Sequence, residues 1–230
     1  MQRTRYNLLT ENSPKMILGL AHGWRNAILY LAPCNESGIN TCPRASRGCR
    51  AACLYTAGRG SFERTQAARI RKTRQYHANP AAFMHLVAAD IHALCASCEL
   101  DGAAYRPCVR LNGTSDLEWP AEIFEQFNEV QFYDYTKVEK RMDTWLAGKC
   151  PANYHLTWSR AERRDRYALS VLHRGGNVAA VFANRPDEWR GYPTVNGDQH
   201  DLTFLYPAGR VVALSPKGRA AHDTTGFVIQ

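Results

Sequence analysis

The chain has 230 residues, 45% of them hydrophobic and 22% charged, with a net charge of +8. This is the composition of an ordinary globular protein, and the length suits one core, so a single domain over residues 1–230 is expected. No apolar run approaches the roughly 20 residues of a membrane span, and the polar opening segment, Met1 to Pro14, lacks the apolar stretch of a secretory signal.

The expected location is therefore the cytoplasm, where clustered cysteines read as metal ligands or catalytic groups and not as disulfides. Four of the eight cysteines fall between Cys34 and Cys53, in a loop-rich stretch whose one short apolar run is Ala27 to Ala32. The charge is uneven as well. Residues 44–74 carry nine basic side chains and one acid, Glu63, and the rest of the chain is balanced with 20 of each sign. A solvated helix face interleaves both signs, whereas a block of one sign attracts polyanions. Arg44, Arg47, Arg50, Arg59, Arg64, Arg71, Lys72 and Arg74 are accordingly candidate nucleic-acid contacts, with DNA the expected partner.

A helix is expected from about Phe62 to Tyr76, ended by Asn79-Pro80, with Pro80 suited to the first turn of the next helix. That helix, about Ala81 to Cys95, carries Phe83, Leu86, Val87, Ile91 and Leu94 on one face. Beyond residue 105, short β-prone runs recur and each ends in polar residues. Cys108 to Leu111 runs into Asn112-Gly113-Thr114-Ser115-Asp116, and Val130 to Tyr133 into Asp134-Tyr135-Thr136-Lys137. Tyr154 to Thr157 leads to Trp158-Ser159-Arg160, Val178 to Phe182 to Ala183-Asn184-Arg185, and Val211 to Leu214 to Ser215-Pro216-Lys217-Gly218. Helix-like pieces lie between, at Pro120 to Phe127, Val138 to Leu146 and Ala161 to His173. Such alternation implies parallel strands with right-handed crossovers. The expected fold is α/β, a partial TIM-like β/α barrel over 61–220 behind a loop-rich, cysteine-bearing N-terminal part, with 221–230 as a tail. In such folds the site lies at the carboxyl ends of the strands, and capping of the following helices does not account for five polar clusters there.

The cysteine loop reads Cys42-Pro-Arg-Ala-Ser-Arg-Gly-Cys49-Arg-Ala-Ala-Cys53, with Cys34 upstream. Its gaps of seven, six and three residues do not make a zinc knuckle. Gly48 is expected to supply a tight turn or left-handed conformation that lets backbone amides face bound sulfides. Cys42, Cys49 and Cys53 suffice to hold a [4Fe-4S] cluster with one iron open to a small molecule, with zinc as the alternative metal. Cys34 is a candidate fourth ligand. Cys95, Cys98 and Cys108 are better read as small buried hydrophobes than as a second site.

The loop, followed by Tyr55 and Gly58-Arg59-Gly60, resembles that of small phage-encoded radical-S-adenosylmethionine-like proteins, those with a gene-product-88 domain and their relatives. Arg110-Leu-Asn-Gly-Thr-Ser-Asp116, Phe132-Tyr-Asp-Tyr-Thr-Lys137, Asn196-Gly-Asp-Gln-His-Asp201 and Leu214-Ser-Pro-Lys-Gly218 extend the likeness over about 34–220. The gaps of six and three, with Ala52 before Cys53, depart from the usual radical signature of three and two with an aromatic before the last cysteine. The resemblance implies S-adenosylmethionine as cofactor and a flavodoxin or ferredoxin as electron donor. It places Asn112, Gly113, Thr114, Ser115, Asp116 and Ser159 on the cofactor, with Asp116 on its ammonium and Ser159 and Lys137 on its ribose and carboxylate. Asp134, Tyr133 and Tyr135 would line the substrate side, and Asp116, Asp134, Lys137 and His200 are the catalytic candidates.

The reading is of an enzyme acting on a base, or a substituent of a base, in phage DNA, by rearrangement or isomerisation. The base must be single-stranded or extruded, with Trp119, Trp145, Trp158 and tyrosines available to stack on it. The alternatives are a zinc-containing base-exchange transglycosylase with Asp116 and Asp134 as acid/base and nucleophile, or a zinc-bearing nucleic-acid-binding module without catalysis.

Overall fold

The computed structural model describes residues 7–11 and 14–230. Most of the polar opening segment, and with it the expectation about a secretory signal, lies outside the described residues. The described chain begins with a short strand, β1 (Leu9–Thr10), and a helix, α1 (Pro14–Leu20). The apolar run near residue 27 is a strand, β2 (Trp24–Leu29), with all six residues buried. Next come the short helix α2 (Arg47–Ala51) and the long helices α3 (Glu63–Ala78) and α4 (Pro80–Leu100).

From there strands and helices alternate: β3 (Arg106–Arg110), α5 (Ala121–Gln126), β4 (Gln131–Thr136), α6 (Glu139–Leu146), β5 (Tyr154–Ser159), α7 (Asp165–His173) and β6 (Val178–Phe182). A hairpin of β7 (Glu188–Trp189) and β8 (Tyr192–Asn196), then β9 (Val211–Leu214) and β10 (Val228–Ile229), complete it.

One mostly parallel sheet of order β1-β2-β3-β4-β5-β6-β9-β8-β7 results, with β10 also on β6. Among the described residues its two edge strands do not pair with each other, so the sheet is open. β2 through β6 follow one another in sequence and in space, each pair parallel, as consecutive strands joined by helices tend to do. β9 occupies one side of β6 over Val178 to Val181, and β5 pairs with the other side only at Val178 and Ala179. β10 therefore takes the side that β5 leaves, at Val181 and Phe182. The expected tail is thus a strand at the carboxyl end of the sheet.

Helix α4 shows why these residues form this layer. Asn79 caps it by accepting from the Ala82 amide at 3.0 Å, and Pro80 fills the first turn, where its missing N–H costs nothing. Its length and composition would suffice to cross a membrane, longer than the expected Ala81–Cys95. Here Phe83, Val87, Ile91 and Leu94 are fully buried in the core, each worth about 1.5–3 kcal/mol. Asp90 on the same helix accepts from the backbone amides of Asn7, Leu8 and Leu9, at 2.9, 2.7 and 2.9 Å, and so pins β1 in place. The opposite face of the sheet holds a smaller cluster of Trp24, Cys108, Tyr133 and Leu202.

Candidate functional site

The carboxyl ends of β2, β3, β4, β5, β6, β8 and β9 surround a cavity of about 240 Å³. Cys34, Cys42, Cys49 and Cys53 line it together with the whole Asn112–Asp116 loop, Lys137 and Ser159. All eight cysteines are free thiols.

The cysteine segment is held from several directions. Cys34 has a left-handed backbone, φ 47°, a conformation costing a side-chain-bearing residue about 1–3 kcal/mol; of the four described non-glycine residues with positive φ it alone lines the cavity. Its carbonyl accepts from the Thr41 amide at 3.1 Å, and the Thr41 carbonyl accepts from the Asp116 amide at 2.8 Å. The loop after β2 is thereby joined to the loop after β3. Cys42 Sγ lies 3.6 Å from the Thr114 carbonyl. Ser46 caps α2 by accepting from the Cys49 amide at 3.2 Å while donating to Glu162, which also accepts from the Gly48 amide at 2.8 Å. Burial works to raise the Glu162 pKa, but the bonds from Ser46 and Gly48 prevail and hold it below the usual carboxylate range.

Gly48 corrects an expectation. It sits inside α2 without a positive φ, so it makes no tight turn. What it provides is space: a Cβ there would lie 2.2 Å from Thr225 Oγ1 and 2.6 Å from Phe227 Cβ. The segment leading into β10 packs directly on the cysteine helix, and Phe227 lines the cavity. Arg160 grips that segment through the Gly226 and Phe227 carbonyls at 2.6 and 3.0 Å.

Electrostatically the four thiols behave as a set. Burial raises all four pKa values, Cys42 to about 12 and Cys53 to about 11. Charge or hydrogen bonding also couples every pair among them: Cys34 with Cys42, Cys49 and Cys53, Cys42 with Cys49 and Cys53, and Cys49 with Cys53. Arg69 lies beside Cys53, with its guanidinium 4.8 Å from the Tyr30 ring and 5.7 Å from the Tyr55 ring. It is 9% exposed, yet its Nε and Nη1 meet no acceptor among the described residues. A buried cation without hydrogen-bonded compensation is costly, and the faces of the Tyr30 and Tyr55 rings offset part of that cost here.

Among the described residues, no group of three or more His, Cys, Asp or Glu side chains is arranged to hold a metal ion. One zinc would need its sulfurs converged at about 2.3 Å from a common centre. In a multi-iron cluster each thiolate binds its own iron, so the sulfurs stand farther apart. Four thiols around one cavity beside the Arg69 guanidinium are of the donor type that a multi-iron cluster would need.

Asp116 and Lys137 line the cavity but are committed to the protein. Asp116 accepts from Thr136 Oγ1 and the Lys137 amide, each at 2.8 Å, and from Arg141 Nη1. Lys137 Nζ donates to Ser159 Oγ, the Ser159 carbonyl and the Arg160 carbonyl at 2.7, 3.0 and 3.0 Å. Burial lowers the Lys137 pKa, and Cys49 acts against that shift. Both side chains clamp adjacent strand ends together; all three Lys137 donors are occupied, whereas Asp116 Oδ2, which accepts only from the Lys137 amide, keeps accepting capacity at the cavity.

Asp134 does not line the cavity. It lies within β4, which continues to Thr136 where a loop was expected, and is 1% exposed. Its carboxylate accepts from the Asn112 amide and Nδ2 at 2.7 and 3.0 Å, holding the loop from behind. Burial raises its pKa to about 6 against the opposing pull of Arg141. Side chains alternate along a strand, so Tyr135 reaches the cavity. Tyr133 is buried below it, with its hydroxyl accepting from Asn26 Nδ2 at 2.6 Å. His200 also lies off the cavity, stacked on Tyr206 at 4.8 Å and edge-on to His22 at 4.5 Å.

The cavity is also lined by charged residues not assigned roles from the sequence. Arg110 pairs with Asp201 at 3.3 Å and lies over the Tyr135 ring at 4.6 Å, and Lys217 pairs with Asp198 at 2.9 Å. The basic block stays outside the cavity, with Arg44, Arg47, Arg50, Arg59, Arg64, Arg71 and Arg74 exposed. Lys72 departs from the set, because it donates to the Leu8 carbonyl and burial lowers its pKa to about 8. Cys98 and Cys108 are buried, and Cys95 Sγ lies 3.9 Å from Glu129.

The family model described as gene product 88 matches residues 4–230. The chain belongs to the gene product 88 family. This membership covers the cysteine loop, the strand-end loops and the β10 segment of this gene product 88 protein alike. No curated protein and no solved structure matches the chain.

Proposed function

We propose that this protein is an iron–sulfur enzyme of the radical-S-adenosylmethionine type, built on an incomplete β/α barrel, that acts on a nucleic-acid base or its substituent, as in phage DNA hypermodification. The observation that carries this reading is the gathering of Cys34, Cys42, Cys49 and Cys53 around one cavity at the carboxyl ends of parallel strands. Cys42, Cys49 and Cys53 would hold the cluster, with Cys34 beside them and Arg69 offsetting its negative charge. When bound, such a cluster supplies single electrons to a cofactor at its open iron.

The chain's own residues have separable tasks. Glu162 and Ser46 orient the helix that carries Cys49. Asp116 and Lys137 fix the spacing of the β3, β4 and β5 ends, so the Asn112–Asp116 loop presents a formed wall to a small molecule. Arg110, Tyr135, Asp198, Asp201 and Lys217 offer charges of both signs to the remainder of the substrate, and the exposed arginines around the loop suit a phosphate backbone.

The test is oxygen-free purification with metal analysis of the wild type beside Cys42→Ala, Cys49→Ala, Cys53→Ala and Cys34→Ala. A brown protein with about four irons, lost in the first three variants, supports the reading. Stoichiometric zinc overturns it in favour of a zinc protein. Formation of 5′-deoxyadenosine from S-adenosylmethionine under reducing conditions then tests the cofactor.

A further inference from the structure

The exposed arginines share their surface with apolar side chains that a phosphate contact does not require. Leu54 begins a 3-10 turn (Leu54–Thr56), and Phe62 directly follows a second one (Gly58–Ser61). Gly60 packs so tightly on the first turn that a Cβ would lie 2.7 Å from the Leu54 carbonyl oxygen and 3.1 Å from that of Tyr55. Ser61 Oγ donates to the Gly58 carbonyl at 2.8 Å, and Gln66 Nε2 reaches the Tyr55 carbonyl at 3.4 Å. The two turns therefore form one braced unit.

On this unit Leu54 is 54% exposed and Phe62 61% exposed. Among the Phe, Tyr and Trp side chains of the described residues, Phe62 alone is exposed; the others are buried or half-buried. The tryptophans expected to stack on a base do not serve, because Trp119 and Trp158 are buried core residues and Trp145 is half-buried. Leu54 also lines the cavity, which puts this braced unit at the edge of the site. Arg59 and Arg64, both exposed, flank Phe62 in sequence.

We propose that Phe62 and Leu54 form a stacking ledge at the cavity mouth for an unpaired base of single-stranded nucleic acid, with the neighbouring arginines on its phosphates. The proposal rests on the nucleic-acid part of the proposed function and specifies the strand state of the substrate. An aromatic face among cations matches a base with its backbone, and a duplex buries the faces of its bases in its own stack. The rigid frame matters too, because a ledge that is already ordered loses little freedom on binding.

The experiment uses the full chain as purified without oxygen, with no S-adenosylmethionine or reductant added, so cluster chemistry does not enter. Fluorescence anisotropy compares a mixed-sequence deoxyoligonucleotide, single-stranded and as a duplex, on the wild type, Phe62→Ala, Phe62→Tyr and Arg64→Gln. The single strand should bind more tightly than the duplex. Phe62→Ala should weaken single-strand binding roughly 5- to 100-fold, with Phe62→Tyr near wild type and duplex binding unchanged. Arg64→Gln should weaken both forms. A 2-aminopurine in the strand should lose fluorescence on binding the wild type but not Phe62→Ala. If the wild type binds the strand and Phe62→Ala binds equally well with the same 2-aminopurine response, the ledge is refuted while the nucleic-acid reading stands. If the wild type binds neither form, that reading fails and takes the ledge with it.

Discussion

Replacing Asp116 by asparagine separates a positioning role from a catalytic one. The carboxylate is 9% exposed and accepts three hydrogen bonds, from Thr136 Oγ1, the Lys137 amide and Arg141 Nη1. An amide can accept at only one of its two ends, so its NH2 group must face a donor. The loss also leaves Arg141, 8% exposed, with Tyr154 OH at 2.8 Å as its main remaining partner. Breaking a buried ion pair from one side costs about 3–5 kcal/mol, which for a chain of this size lowers Tm by roughly 6–20 °C. Thermal unfolding of Asp116→Asn, Arg141→Met and the double variant measures this, and the pair should show a coupling of at least about 2 kcal/mol. If Asp116→Asn melts within about 2 °C of wild type yet abolishes turnover, the carboxylate acts on a ligand and the positioning argument is wrong.

Gly48→Ala should destabilise the protein by about 1–3 kcal/mol and lower iron loading, because a methyl group there collides with Thr225 and Phe227; chemical unfolding and iron analysis read both effects. Asp134 has a folded pKa raised to about 6, so its protonated form favours the fold below pH ~4 and that contribution is lost as pH rises to about 6, roughly 3 kcal/mol in all. The stability of the wild type relative to Asp134→Asn should fall across that interval, and a flat difference would remove the assignment. For nucleic acid, about six neutralised phosphates give a log–log salt slope near −4 on a single strand and near −5 on a duplex; a response independent of salt would show that the arginines make no phosphate contacts.

Features carried by neighbours in sequence were legible without a structure. β6 and β9 coincide with their expected ranges, because buried parallel strands read as continuous apolar runs bounded by polar residues. Thiol chemistry and strand-end polarity likewise brought Cys42, Cys49, Cys53, the Asn112–Asp116 loop, Lys137 and Ser159 to attention, and all of them line one cavity. β4 was read three residues short at its end, since Asp134-Tyr135-Thr136 has the composition of a loop. It is a strand because Asn112, 22 residues away, satisfies the buried carboxylate.

The amino-acid sequence by itself determined the alternation of elements, the side of the sheet where polar chemistry collects and the concentration of positive charge beside the cysteines. Tertiary structure decided which polar groups are already occupied: Asp116 and Lys137 by neighbouring strands, Asp134 by the loop it supports, and His200 by its ring neighbours. It also supplied Glu162, which reaches Ser46 from 116 residues along the chain, and turned the expected tail into a wall of the cavity. The physical reason is one of range. Apolar periodicity and ligand chemistry are properties of adjacent residues, whereas the pairing of a buried polar group depends on partners that only the folded chain brings within hydrogen-bonding distance.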